Sequence, residues 1–161
     1  HWCELEGSEH EWGFQVTVAN AAMTKFGGDH PLFNYYLGHG ISRVGKVRLE
    51  QGQQRALEDL REAVLALQKA VVPPETLTSY EHRLQNSKAY RALALALENA
   101  VMAAEQFPLH AKPAEPARLR EQLAHTLGSW VAEHPDDLYA RGEKVRIEGK
   151  LDLQAAPRER A

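Results

Sequence analysis

The sequence predicts an α+β fold: a bundle of three or four helices flanked at both ends by short antiparallel strand segments. Three observations carry that expectation. Apolar residues alternate with a period of two in residues 1–50, recur every three to four residues in 51–134, and return to a period of two in 135–161. The chain has 161 residues, 43% hydrophobic and 25% charged. That suits one ordinary domain or two small ones, with enough chain to bury a core, and excludes a disordered polymer.

In the first stretch, Trp12, Phe14, Val16 and Val18 alternate with Gly13, Gln15 and Thr17, the signature of a strand with one buried face. Cys3 and Leu5 open a partner strand across a Gly7-Ser8 turn. A second strand, Lys46-Val47-Arg48-Leu49, follows a glycine-rich loop. In the middle stretch, Leu57, Leu60, Val64, Leu67 and Val71 mark one face of an amphipathic helix. Pro73-Pro74 ends it, because proline lacks the amide donor and clashes with the preceding turn.

A second helical stretch starts near Thr78, which with Glu81 fits a capping box, and breaks at Asn86-Ser87. Residues 108–116 form a linker, and Pro116 suits the first turn of a third helix carried by Leu119, Leu123, Leu127, Trp130 and Val131. In the last stretch Val145, Ile147, Leu151 and Leu153 fall on odd positions around Gly149, which reads as a long strand with a bend. The final residues, 155–161, read as frayed. The organisation is thus a β-rich segment (1–50), a helical module (51–134), and a linker with a strand (135–161).

Composition narrows the function. With 19 basic and 22 acidic residues the formal net charge is −3, so any grip on nucleic acid must come from a local patch. The single cysteine, Cys3, excludes an intrachain disulfide or a cysteine-based zinc site and points to a reducing, cytoplasmic compartment. No apolar run approaches the ~18–20 residues that span a bilayer. The eight histidines form neither HExxH nor ExxH, so neither a metal nor another cofactor is expected. The chain begins at His1, and its β–α–β order reads as a junction segment of something longer.

Three constellations bear on chemistry. Residues Gly40 to Lys46 fit the GxxxxGK of a phosphate-binding loop, but Val47 stands where Ser or Thr would hold Mg²⁺, and a strand follows where a helix is needed. Nucleotide hydrolysis is set aside on both counts. Arg120 and His125 match the spacing of the Arg-x4-His motif of HEPN ribonucleases, although five residues place them about 140° apart on a helix. Arg43, Lys46 and Arg48 flank the glycine-rich loop, while Arg83, Lys88 and Arg91 share a broad helix face. If the two patches meet in the fold, they can grip a phosphate backbone. Phe33, Tyr35 and Tyr36 are either core aromatics or stacking platforms for bases.

Residues 36–49, with Gly38, Gly40, Gly45, Lys46 and Val47 in order, resemble the glycine-rich loop and following strand of RAMP proteins, the Cas7-like backbone subunits of type III CRISPR effectors. Residues 143–153 are similar to the opening strand of such a domain. The helical middle is similar in class and size to the Cas11-like small subunit that lies between them in fused effectors. The resemblance implies a non-catalytic segment that supports the guide–target duplex, with guide RNA, target RNA and neighbouring effector subunits as partners. It implies RNA contacts at Gly38, Gly40, Arg43, Gly45 and Lys46, to which the helical face adds Arg83, Lys88 and Arg91. The alternatives are the HEPN-like ribonuclease and a scaffold or oligomerisation bundle with no ligand.

Overall fold

The computed structural model describes residues 12–26 and 30–153, and every extended regular element among them is a helix. Six α-helices follow in order: α1 (Trp12–Phe26), α2 (Pro31–Glu50), α3 (Arg55–Ala70), α4 (Tyr80–Gln106), α5 (Glu115–Glu133) and α6 (Leu138–Leu151), with a one-turn 3₁₀ helix at Pro74–Thr76. The expected α+β class is corrected to all-α, with no strand among the described residues. The partner strand at Cys3 and Leu5, its Gly7-Ser8 turn and residues 155–161 lie outside the described residues.

The two flanks were expected as strands, and each is helical for a local reason. In α1 the buried residues are Gln15 and Ala19, one helical turn apart, whereas Phe14 is 46% exposed. The alternation from Trp12 to Val18 therefore does not correspond to one buried face. Helix α2 starts at Pro31, whose fixed φ suits a first turn, and the His30 Nδ1 caps it by accepting from the Leu32 amide at 3.2 Å. The supposed strand Lys46-Val47-Arg48-Leu49 is its last turn.

Glycines that read as a loop are packing surfaces inside α2. A Cβ at Gly38 would stand 2.5 Å from Leu67 Cγ, and one at Gly45 would stand 2.9 Å from Leu60 Cγ, both on α3. Gly40 faces α1, where the nearest atom would be Val16 Cγ2 at 2.7 Å. Each glycine costs about 1 kcal/mol of helix propensity relative to alanine. Close helix–helix approach offsets that cost, since a larger residue would force the neighbouring leucines out of their rotamers.

At the other flank, Asp137 caps α6: its Oδ1 accepts from the Tyr139 amide at 3.0 Å and the Ala140 amide at 3.2 Å. The buried apolar residues Ala140, Ile147 and Leu151 follow helical spacing, while Val145 is 73% exposed. Ion pairs between Lys144 and Glu148 and between Glu143 and Arg146 span one turn each.

The middle follows the sequence more closely. Helix α3 ends before Pro73-Pro74 and buries Leu57, Leu60, Val64 and Leu67. The N-cap of α4 is Ser79, whose Oγ accepts from the His82 amide at 3.1 Å, so the expected Thr78–Glu81 box is displaced by one residue. Helix α4 also runs unbroken through Asn86 and Ser87. Both are buried, and both side chains have partners outside the helix. Asn86 Oδ1 accepts from the Val72 amide at 3.0 Å, and Ser87 Oγ donates to Asp137 Oδ2 at 2.5 Å while accepting from Trp130 Nε1 at 2.8 Å.

A single apolar core joins these elements. Small residues on α4, among them Ala92, Ala96, Ala100 and Ala103, let leucines of α3 and α5 approach closely, and Leu49, Ala140, Ile147 and Leu151 bring both flanks into the same cluster. Burial of a leucine of this kind contributes about 1.5–3 kcal/mol. Neighbours in sequence run antiparallel. On α2 and α3, Gly38 meets Leu67 while Arg48 meets Asp59. On α4 and α5, Tyr90 meets Glu133 while Glu105 meets Arg120. Helices α4 and α6 instead run parallel, since Arg91 meets Tyr139 and Glu98 meets Arg146.

Candidate anion-binding cleft

Helices α2, α4 and α6 together enclose a cleft of about 510 Å³. Each wall is one helix face at three- and four-residue spacing: Tyr35, His39, Ser42, Arg43 and Lys46 on α2; Lys88, Arg91, Leu95 and Glu98 on α4; Tyr139, Glu143, Arg146 and Lys150 on α6. Six lining residues are cationic and two are carboxylates, a formal excess of four positive charges in a chain whose net charge is −3.

The cations are not equivalent. Glu98, with a side chain only 5% exposed, accepts from Arg146 Nη1 at 3.1 Å, Arg146 Nη2 at 3.0 Å and Lys150 Nζ at 3.0 Å. Burial pushes its carboxyl up, but those hydrogen bonds outweigh burial and hold it below the ordinary carboxylate range. Arg146 also reaches Glu143 and is raised above its ordinary value, by its bonds to Glu143 first and Glu98 second. Arg43 and Lys46, on the opposite wall, form no ion pair among the described residues. The Arg43 guanidinium lies 5.2 Å from the centre of the Trp12 ring.

Aromatic side chains are interleaved with this charge. Tyr35 and His39, one turn apart on α2, stack with centroids 5.6 Å apart and an interplanar angle of 8°. Burial, then the charges of Arg43 and Arg91, push the His39 imidazole down to about 4, so it is neutral at pH 7. On the far wall Arg91 Nη2 donates to Tyr139 Oη at 2.7 Å, with its guanidinium 4.4 Å from the ring centre.

The cleft gathers Arg43, Lys46, Lys88 and Arg91, half of the residues singled out in the sequence. The two basic patches therefore meet in part, without Arg83 and without Arg48, which pairs with Asp59. The other half lie elsewhere: Gly38, Gly40 and Gly45 are buried against neighbouring helices, and Arg83 is exposed on α4 outside the cleft lining. Phe33 packs against Phe26 and His30, and Tyr36 is buried.

Arg146, Lys150, His39 and Tyr139 were missed. Reading residues 143–153 as a strand assigned alternate residues to opposite faces and hid the 4-3-4 spacing of Tyr139, Glu143, Arg146 and Lys150. An aspartate directly before that spacing was the available signal for a helix.

Other constellations are placed differently. The GxxxxGK match lies in the interior of α2, with no turn to present amides to a phosphate. Arg120 donates to Glu105 and to the Leu151 carbonyl, His125 is exposed on α5, and neither lines the cleft. The stretches that resemble a RAMP loop and strand are α2 and α6, so that loop geometry is replaced by helix. Among the described residues no cluster of three or more His, Cys, Asp or Glu could hold a metal, and no helix is long and apolar enough to cross a membrane. Compared with protein families, curated proteins and solved structures, the chain matches none.

Proposed function

We propose that this chain is an RNA-binding helical module that holds the phosphate backbone in the cleft between α2, α4 and α6. One observation carries the reading: six cations from three helices converge on one concavity although the chain as a whole is acidic. Spreading so many like charges over a solvated surface would cost little. Facing them across a cleft raises mutual repulsion, which a polyanion relieves by neutralising them and releasing its counterions. Guanidinium groups at Arg43 and Arg91 suit bidentate contact with phosphate oxygens, whereas Lys46 and Lys88 act as point charges. Contacts of this kind position a strand without reading its sequence.

The reading keeps the RNA partner implied by the sequence resemblance and replaces the glycine loop with a helical cleft as the contact. In an RNA-guided effector such a module would lie against guide or target RNA and neighbouring subunits. Filter binding of the chain and an Arg43→Ala/Lys46→Ala variant to RNA across a salt series tests it. Loss of two phosphate contacts is expected to lower affinity about tenfold and to flatten the log–log salt slope by roughly 1.4 for a single strand. Equal affinities and slopes would sink the reading, as would no binding by the unaltered chain at low salt.

A further inference from the structure

We infer that the cleft admits one unpaired ribonucleotide at a time, its phosphate against Arg43 and Lys46 and its base against the aromatic walls at Tyr35 and Tyr139, and that duplex RNA is left outside. This rests on the RNA-binding reading and specifies the form of RNA.

Size is the first support. A cleft of about 510 Å³ falls within the ~300–1,000 Å³ of small-ligand pockets. It is bounded by α4 as a floor and by α2 and α6 as facing walls. A paired base stays inside its helix and cannot enter such a space, whereas an unpaired base can turn out of its strand and enter.

Chemistry is the second. Backbone binding alone would need only cations. Here each facing wall also carries an aromatic side chain, and single-stranded RNA is held by this combination of charge and ring faces. Tyr139 is 48% exposed, so much of its ring is accessible although Arg91 lies over it. On the other wall Tyr35 stacks on the neutral His39 ring, which Arg43 flanks. A neutral ring beside a cation that forms no ion pair among the described residues suits a base beside its phosphate.

The test uses a short oligouridylate, a blunt RNA duplex of equal length, and uridine monophosphate, each at fixed salt. The oligouridylate is expected to bind at least tenfold more tightly than the duplex, consistent with the roughly tenfold or greater effect of losing one base–aromatic stack. Uridine monophosphate is expected to compete with it. Tyr139→Leu is expected to lower oligouridylate affinity about tenfold without changing the salt slope, since a stack releases no counterions. Tyr139→Phe, which keeps the ring, is expected to restore it. Equal affinity for the two RNA forms, undiminished by Tyr139→Leu, overturns this inference and leaves RNA binding standing. Binding to neither form overturns the RNA reading with it.

Discussion

Two buried carboxylates, Glu115 and Glu98, have different partners and do different things. Glu115, with a side chain 4% exposed, opens α5 and meets Arg61 of α3, whose Nε donates to Oε2 at 2.8 Å and Nη2 to Oε1 at 2.6 Å. The Lys112 amide also donates to Oε1, at 2.9 Å, and Arg61 Nη2 reaches the His110 carbonyl at 3.0 Å. Both Glu115 oxygens are thus held by donors of neighbouring segments, and one cation faces one carboxylate. Glu98 is as deeply buried, but it shares a cleft with four further cations, and its own partners Arg146 and Lys150 are 44% and 46% exposed. The same carboxylate–cation chemistry is a staple in one place and a partial counterweight in the other. What separates them is the charge left over, not the strength of the pair.

The largest expected effect breaks the staple. Glu115→Ala strands Arg61 at the α3–α5 contact and leaves the Lys112 amide without its acceptor. Removing one partner of a buried pair costs about 3–5 kcal/mol, and the partial exposure of Arg61, at 26%, places this case near 3. Urea denaturation should show the loss as a lower midpoint at unchanged m, with the salt slope of RNA binding unaltered. A changed salt slope would show that the two sites are not separate.

The next effect is one of pH and belongs to the cleft. Burial, then Arg43 and Arg91, lower His39 to about 4 from an unfolded value near 6.5. Between those values the unfolded chain binds more protons, so stability is full above pH 6.5 and falls as pH drops towards 4. The two limits differ by about 3 kcal/mol. Denaturation midpoints of the chain and a His39→Phe variant, compared at pH 7 and pH 4.5, isolate the contribution, because the carboxylates common to both cancel. Parallel pH profiles would show that His39 is not the group responsible.

These contrasts bear on what the sequence could reveal. The middle helices were legible because their buried residues, such as Leu57, Leu60, Val64 and Leu67, lie on one clean face. Helix α2 was not, because Gly38, Gly40 and Gly45 lower helix propensity, and their reason for being there is a leucine or valine on another helix. Helix α6 was obscured by Val145, an apolar residue that faces solvent and made a chance period of two with Ile147. Half of the cleft was visible as basic residues at helical spacing on α4 and around the α2 glycines. The other wall was hidden with α6, and no local signal tells that α2, α4 and α6 face one another.

The smallest stability effect gives the sharpest separation of the two carboxylates. Glu98→Gln keeps the shape and one acceptor but removes the negative charge, so Arg146 and Lys150 lose an ionic partner while remaining able to reach solvent. The cost in stability should be about 1 kcal/mol, the scale of one hydrogen bond. Lys150 loses its carboxylate partner and Arg146 keeps only Glu143, so both cations become more available to phosphate. RNA affinity at low salt should therefore rise, by about threefold, with the slope steepening by about 0.7 for each phosphate newly neutralised. Opposite signs in the two measurements, lower stability with tighter binding, follow only if the cleft's excess charge is what holds RNA. Weaker binding by the variant would instead make Glu98 a positioning residue that orients Arg146 and Lys150. The cleft would then resemble the staple at Glu115, and the distinction between the two carboxylates would fall.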